Sequence, residues 1–186
     1  MVRPNEIVDA IIFEVQDSGR MPETASYIDR IPDIDTDALK LPIIEVSLLD
    51  TTSLTSFNSD FVGYRTNDSG DEIGRIYDSD YLATIEASLW TAQGSKYNPE
   101  ILSNDLRTLL YEFDTNVGQA TLRHPDLGDL DEVWRFSLES GTHTDDLTTT
   151  PPLRKWTETI SVYAIEEHTT YEPLTIRTTE QEVDTL

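Results

Sequence analysis

From Asp80 to Thr91 the chain alternates residue by residue. Tyr81, Ala83, Ile85, Ala87 and Leu89 fall on one side, and Thr84, Glu86 and Ser88 on the other. Side chains of an extended strand point to opposite faces with a period of two, so the pattern predicts a strand with one face buried and one wet. A longer alternation runs from Leu153 to Glu167. Trp156, Ile160, Val162 and Ala164 share one face; Thr157, Thr159, Ser161 and Tyr163 share the other. Such strands build a sheet that needs a cover on one side only, and amphipathic helices elsewhere in the chain can supply it.

Two segments read as those helices. Ile7, Val8, Ile11, Ile12 and Val15 recur at the spacing of one helix face, with Pro4 in the first turn, Glu6 beside the positive end of the dipole and Gly19 as a stop. Asn98-Pro99-Glu100 is a capping residue, a proline at the first helical position and an acid; Ile101, Leu102, Leu106, Leu109, Leu110 and Phe113 give the apolar face that follows. Leu41 to Leu49 and Val133 to Leu138 read as further strands, and Pro42 near the start of the first costs little pairing. Phe61–Arg65 and Ile73–Tyr77 flank the turn sequence Asn67-Asp68-Ser69-Gly70-Asp71 and read as a hairpin. Residues 20–40, 50–60, 114–131 and 141–152 read as loops, and the last two strands pair antiparallel across the fourth of them. The expected fold is α+β: an antiparallel or mixed sheet with two main helices packed on one face, plus a hairpin insertion over 54–79. The expected organisation is a single domain over 1–172 and an extended C-terminal arm over 173–186.

The charge bounds the partners. There are 36 Asp+Glu against 13 Lys+Arg, a formal net charge of −23. A field of that sign repels phosphate backbones, which argues against nucleic-acid binding through a basic face. Asp outnumbers Glu by 20 to 16, Lys appears only at 40, 96 and 155 against 10 Arg, and there are 24 Thr. Short, strongly hydrated carboxylates in place of flexible Lys stems suit molar salt, where the Debye length falls to ~3 Å and self-repulsion is screened. The composition is therefore read as that of an extreme halophile, or of a virus of one. With no Cys, thiolate metal sites, Cys nucleophiles and disulfides are excluded. No apolar run is long enough to span a membrane, and Met1 to Glu6 has no signal-peptide character, so no membrane partner is expected.

Catalytic constellations are hard to find. His124, His143 and His168 are isolated, and each reads as a surface or loop residue rather than a ligand. Asp126, Asp129, Asp131 and Glu132 lie close together but lack calcium-loop spacing, and in so acidic a chain they read as solvated loop carboxylates. Glycines are scattered singly, with no phosphate cradle or nucleophile elbow. No catalytic residue, metal site or cofactor is expected. The hairpin stands out instead. Phe61, Tyr64, Arg65, Arg75 and Tyr77 combine aromatics and Arg, types enriched at protein–protein hot spots; with Trp156 they form the expected interface set.

The order of elements carries a resemblance. An N-terminal amphipathic helix precedes Leu41-Pro42-Ile43-Ile44-Glu45-Val46; a hairpin-like insertion leads to Asp80–Trp90; a helix opens at Asn98-Pro99-Glu100; a late strand pair ends in Trp156–Ala164. This pattern, over roughly residues 4–170, resembles the tail terminator (tail completion) proteins of tailed viruses. The resemblance implies a small α+β domain, six copies of which form a ring that caps the tail tube and joins it to the head–tail connector. It implies partners: further copies of the chain, the tail tube protein and connector or neck proteins, with DNA only as passing cargo. It also implies residence in the virion, and in host cytoplasm during assembly; the composition adds a haloarchaeal host. The alternatives are a neck or head-completion protein of the same virion, a non-catalytic halophilic binding module, and a small enzyme whose acid clusters hold Mg²⁺.

Overall fold

The computed structural model describes residues 2–29, 41–54, 60–70, 72–92, 95–147 and 152–171, with the side chains at 60, 61, 146 and 168–171 outside that description. Residues 30–40 of the expected 20–40 loop and the expected C-terminal arm also lie outside it.

The two helices form where local chemistry sets them. Helix α1 (Pro4–Asp17) opens with Pro4 at its start, and the Glu6 carboxylate reaches back to accept from the Arg3 N–H at 2.6 Å. Gly19, at φ 65°, turns the chain just past its end. Helix α2 (Pro99–Phe113) is capped by Asn98, whose side chain accepts from the Glu100 N–H at 3.0 Å. Its buried stripe is Leu102, Leu106, Leu109, Leu110 and Phe113. Ile101, expected on that stripe, is 57% exposed, because it lies about 100° around the helix from Leu102.

The strands are β1 (Ser26–Ile28), β2 (Ile43–Ser53), β3 (Asp60–Thr66), β4 (Glu72–Ala92), β5 (Arg123–His124), β6 (Gly128–Asp129), β7 (Val133–Asp146) and β8 (Leu153–Tyr171). The main sheet runs β1-β2-β4-β8-β7, with β3 also on β4. Among the described residues only β1 against β2 is parallel; the other pairings are antiparallel. The α+β class stands, with a mixed sheet, and both helices cover one face. Ile44, Val46, Tyr81, Ala83, Ile85, Ala87, Leu89, Ile160, Val162 and Ala164 form one buried cluster with the apolar stripes of α1 and α2. Burying each large side chain there stabilises the fold by about 1.5–3 kcal/mol.

Strand content exceeds the sequence expectation at five places. Residues 26–28 of the expected loop pair with β2 as a short edge strand. Residues 50–53 continue β2, and 141–146 continue β7, so neither expected turn region begins where its polar residues do. Arg123–His124 and Gly128–Asp129 make a small hairpin inside the expected 114–131 loop. Most consequential, Ile73–Tyr77 and Asp80–Thr91 are one strand. β4 runs 21 residues, about 70 Å at the usual rise, and pairs without interruption from Gly74 to Ala92 with β8.

The uncovered face of the sheet is polar and internally bonded. Trp90 Nε1–H donates to Glu45 Oε2 at 3.0 Å, and Lys155 Nζ lies 2.8 Å from Glu86 Oε1 and 5.0 Å from the centre of the Trp90 ring. Ser88 Oγ donates to Glu86 Oε1 at 3.1 Å and lies 3.0 Å from the Thr157 hydroxyl across the strand pair.

Candidate functional site

β2 and β3 lie end to end along the same edge of β4. Ser53 pairs with Tyr81, and Asp60 with Asp78. Beyond Tyr81 the sheet therefore continues as a three-stranded arm made of β3, the first part of β4 and the last part of β8. Asn67 shapes its tip. The Asn67 side chain accepts from the Ser69 N–H at 3.0 Å, its carbonyl accepts from the Gly70 N–H at 2.9 Å, and Gly70 takes the left-handed φ of 85° that favours glycine.

The expected interface residues divide on this frame. Arg75 and Tyr77 are two apart on β4 and share a face, and Tyr64 stands opposite Arg75 on that face. It is the face that, farther along β4, carries Tyr81, Ala83 and Ile85 into the core. Phe61 pairs through its backbone with Tyr77 across a bulge, and its side chain lies outside the described residues. Arg65 stands opposite Gly74, on the other face. Tyr64 is 48% exposed, Arg65 and Arg75 are exposed, and Tyr77 is half-buried. Trp156 does not join them. It pairs with Leu89, twelve positions along β4 from Tyr77, about 40 Å away.

Trp156 belongs to a second site that the sequence reading missed. A pocket of about 250 Å³ opens between α2 and the β7–β8 hairpin, lined by Asn104, Arg107, Gly141, His143, Trp156 and Glu158 among others. His143 stacks on Trp156 with centroids 4.6 Å apart and rings 21° from parallel, and its Nε2 lies 2.9 Å from Asp145 Oδ1. Glu158 points to the helix-covered side, opposite Ala87 and Gly141. Its side chain is only 10% exposed, and Oε2 is buried with no hydrogen-bond partner among the described residues. Arg107 Nη1 comes no closer than 3.8 Å to Glu158 Oε1, while Nη2 donates to the Tyr111 hydroxyl at 3.2 Å. Burial pushes the Glu158 carboxyl above its ordinary value, and the Arg107 charge only partly offsets this. Gly141 makes the room: a Cβ there would stand 2.7 and 2.8 Å from the Glu158 carboxylate oxygens. The signal was present in the sequence, since position 158 falls between Trp156 and Ile160 on the apolar face of the alternation.

Other singled-out residues have structural work. His124 Nδ1 accepts from the Asp126 and Leu127 N–H groups at 3.1 and 3.2 Å and holds the β5–β6 turn. His168's side chain lies outside the described residues. Asp126, Asp129 and Asp131 are exposed, and among the described residues no three His, Asp or Glu side chains are grouped to hold a metal ion. Glu14, buried in the α1 stripe, accepts from Arg123 through its backbone N–H, Nε and Nη2 at 2.9–3.0 Å and ties α1 to β5. Among the described residues no helix is long and apolar enough to cross a membrane. Comparison with protein-family models gives no match, and comparison with curated proteins gives none either.

Proposed function

We propose that this chain is a structural virion protein of a tailed virus of haloarchaea, assembling with copies of itself into a ring that caps the tail tube and joins it to the head–tail connector. The observation that carries the reading is the arm. A single 21-residue strand begins in a projecting three-stranded sheet and ends in the helix-covered core, so the arm is continuous with a rigid body. Tyr64, Arg75 and Tyr77 share one face of it beyond the core, and such aromatic–Arg surfaces are typical of subunit contacts. The reading is supported by an element order close to that of the family resemblance: α1, β2, β3, the long β4 that is both second hairpin strand and core strand, α2 and the late β7–β8 pair, with the short β1, β5 and β6 in addition. The net charge of −23 suits a ring through which DNA passes without adhering.

Mass measurement in molar salt tests this. The wild-type chain is expected to form a closed oligomer of about six copies, as the resemblance implies. The combined Tyr64→Ser, Arg75→Ser and Tyr77→Ser variant is expected to keep its circular dichroism spectrum and run as a monomer. A wild-type chain that stays monomeric at tens of micromolar in molar salt would sink the proposal.

A further inference from the structure

We propose that the pocket between α2 and the β7–β8 hairpin binds the head of an organic cation, a guanidinium or ammonium group that donates to Glu158 Oε2. A buried carboxylate is costly unless it is paired and hydrogen-bonded. Among the described residues one oxygen has no partner, and Arg107 stands 3.8 Å from the other. Arg107 does not close the gap because its guanidinium is held by Tyr111, through the hydroxyl at 3.2 Å and over the ring at 5.5 Å. Oε2 itself is buried, but Glu158 lines an open pocket, so turning the carboxylate about its terminal bond brings the vacant acceptor to a ligand there, in room that a side chain at position 141 would take.

The walls select the ligand. A hard divalent cation wants six or more oxygen ligands, and this pocket offers a single carboxylate beside an arginine. An organic cation is less strongly hydrated and is also attracted to aromatic faces, which the stacked Trp156–His143 pair supplies. The charge facing Glu158 is Arg107 from α2; from β7, His143 and Asp145 stand at the pocket edge. Across the whole molecule, the net charge of −23 concentrates cations near the surface.

Two sources share this chemistry: a free small cation, and an Arg or Lys side chain presented by a protein. Calorimetric titration of the full chain in molar salt with methylguanidinium and with an acetylated, amidated Gly-Arg-Gly peptide separates them. Saturable one-to-one binding is expected. Similar affinity for both probes identifies a free cation site, and binding of the peptide alone identifies a side-chain site. Glu158→Gln is expected to weaken binding at least tenfold while keeping the fold, and Arg107→Gln, which removes the competing charge, is expected to tighten it. Gly141→Ala, which crowds the carboxylate, is expected to weaken binding without removing any charge. Failure of both probes to bind the wild type, equal binding by Glu158→Gln, or loss of binding in Arg107→Gln would each overturn the proposal. None of these results depends on whether the chain forms a ring.

Discussion

Two buried hydroxyls on β4 show how context decides what a residue is worth. Ser88 is fully buried, yet its hydroxyl bridges Glu86 and Thr157, so its polarity is satisfied. Thr91 is 1% exposed, and its Oγ1 has no hydrogen-bond partner among the described residues. An unmade buried hydrogen bond costs more than a made one returns. Thr91→Val keeps the shape and removes the orphan, so it is expected to raise stability by about 1 kcal/mol. Ser88→Ala is expected to lower it by about as much, because Thr157 loses a partner. Urea midpoints at constant slope check both, and a Thr91→Val protein less stable than wild type would contradict the assignment. Glu158 gives the pH-dependent case. Its folded carboxyl holds a proton more tightly than the ordinary value of 4.5, chiefly through burial. The native state therefore binds more protons than the unfolded chain in the window above pH 4.5. The stability that protonated Glu158 confers is complete below that point and is lost as pH rises through the folded value. Glu158→Gln cannot ionise. The variant should match the wild type in acid and become the more stable of the two toward neutrality, as paired denaturation curves across that range will show. A gap that instead widens toward acid would mean the carboxylate is stabilised, not strained, by its surroundings.

At the scale of elements, long edge strands need protection from stray pairing. Among the described residues β7 pairs only with β8, and its outer edge is blunted in two ways. Register shifts interrupt it between Val133 and Arg135 and between Leu138 and Ser140. The turn after α2 also covers it. Asp114 Oδ2 accepts from the Leu138 N–H at 3.0 Å, Thr115 Oγ1 accepts from the Phe136 N–H at 2.8 Å, and the Thr115 N–H donates to the Phe136 carbonyl at 2.9 Å. Asp114 Oδ1 meanwhile holds the turn by accepting from the Asn116 N–H at 2.8 Å. Asp114→Ala removes two charge-assisted hydrogen bonds and is expected to cost about 1.5–3 kcal/mol and to promote aggregation through the bared edge. Light scattering during thermal melts checks the second effect; a variant with wild-type melting and scattering would show the edge is protected elsewhere. The same element shows what a sequence discloses. The helices were legible because their caps and apolar stripes are local, as at Asn98 and Gly19. The middles of β4 and β8 were legible because the helix-covered face imposes alternation. The ends were not. Tyr77 and Ser79 have no helix above them, so no hydrophobic pattern marks residues 72–79 as the same strand as 80–92. β1 is three residues long, and although Tyr27 packs against the core, so short a run shows no alternation to read. Of the interface set, Tyr64, Arg75 and Tyr77 come together because strand register joins them, while Trp156 shares only their chemistry and stands about 40 Å off.

For the whole molecule, the charge sets the conditions under which these elements hold together. If every one of the 13 bases were matched to an acid, 36 − 13 = 23 carboxylates would remain unmatched. Several bases are already committed to local bonds: Arg123 to Glu14 and Asp17, Lys155 to Glu86, and Arg20 to Glu112. The surplus is therefore opposed only by solvent and counterions. Compaction brings these charges closer, and their repulsion extends over a Debye length of about 10 Å at 0.1 M salt but ~3 Å at 1 M. Folding, and still more the close approach of identical subunits, is expected to require salt near the upper value. Circular dichroism through a salt titration should show the cooperative melt shifting downward and then disappearing as salt is withdrawn, with oligomer dissociation preceding unfolding. Sucrose distinguishes screening from general stabilisation. It strengthens burial through exclusion from the surface but carries no charge, so it should not restore the oligomer at low salt. An unchanged spectrum and mass down to ~0.1 M would remove the halophilic reading and the haloarchaeal host with it, because a chain that tolerates a 10 Å screening length has no need of molar salt.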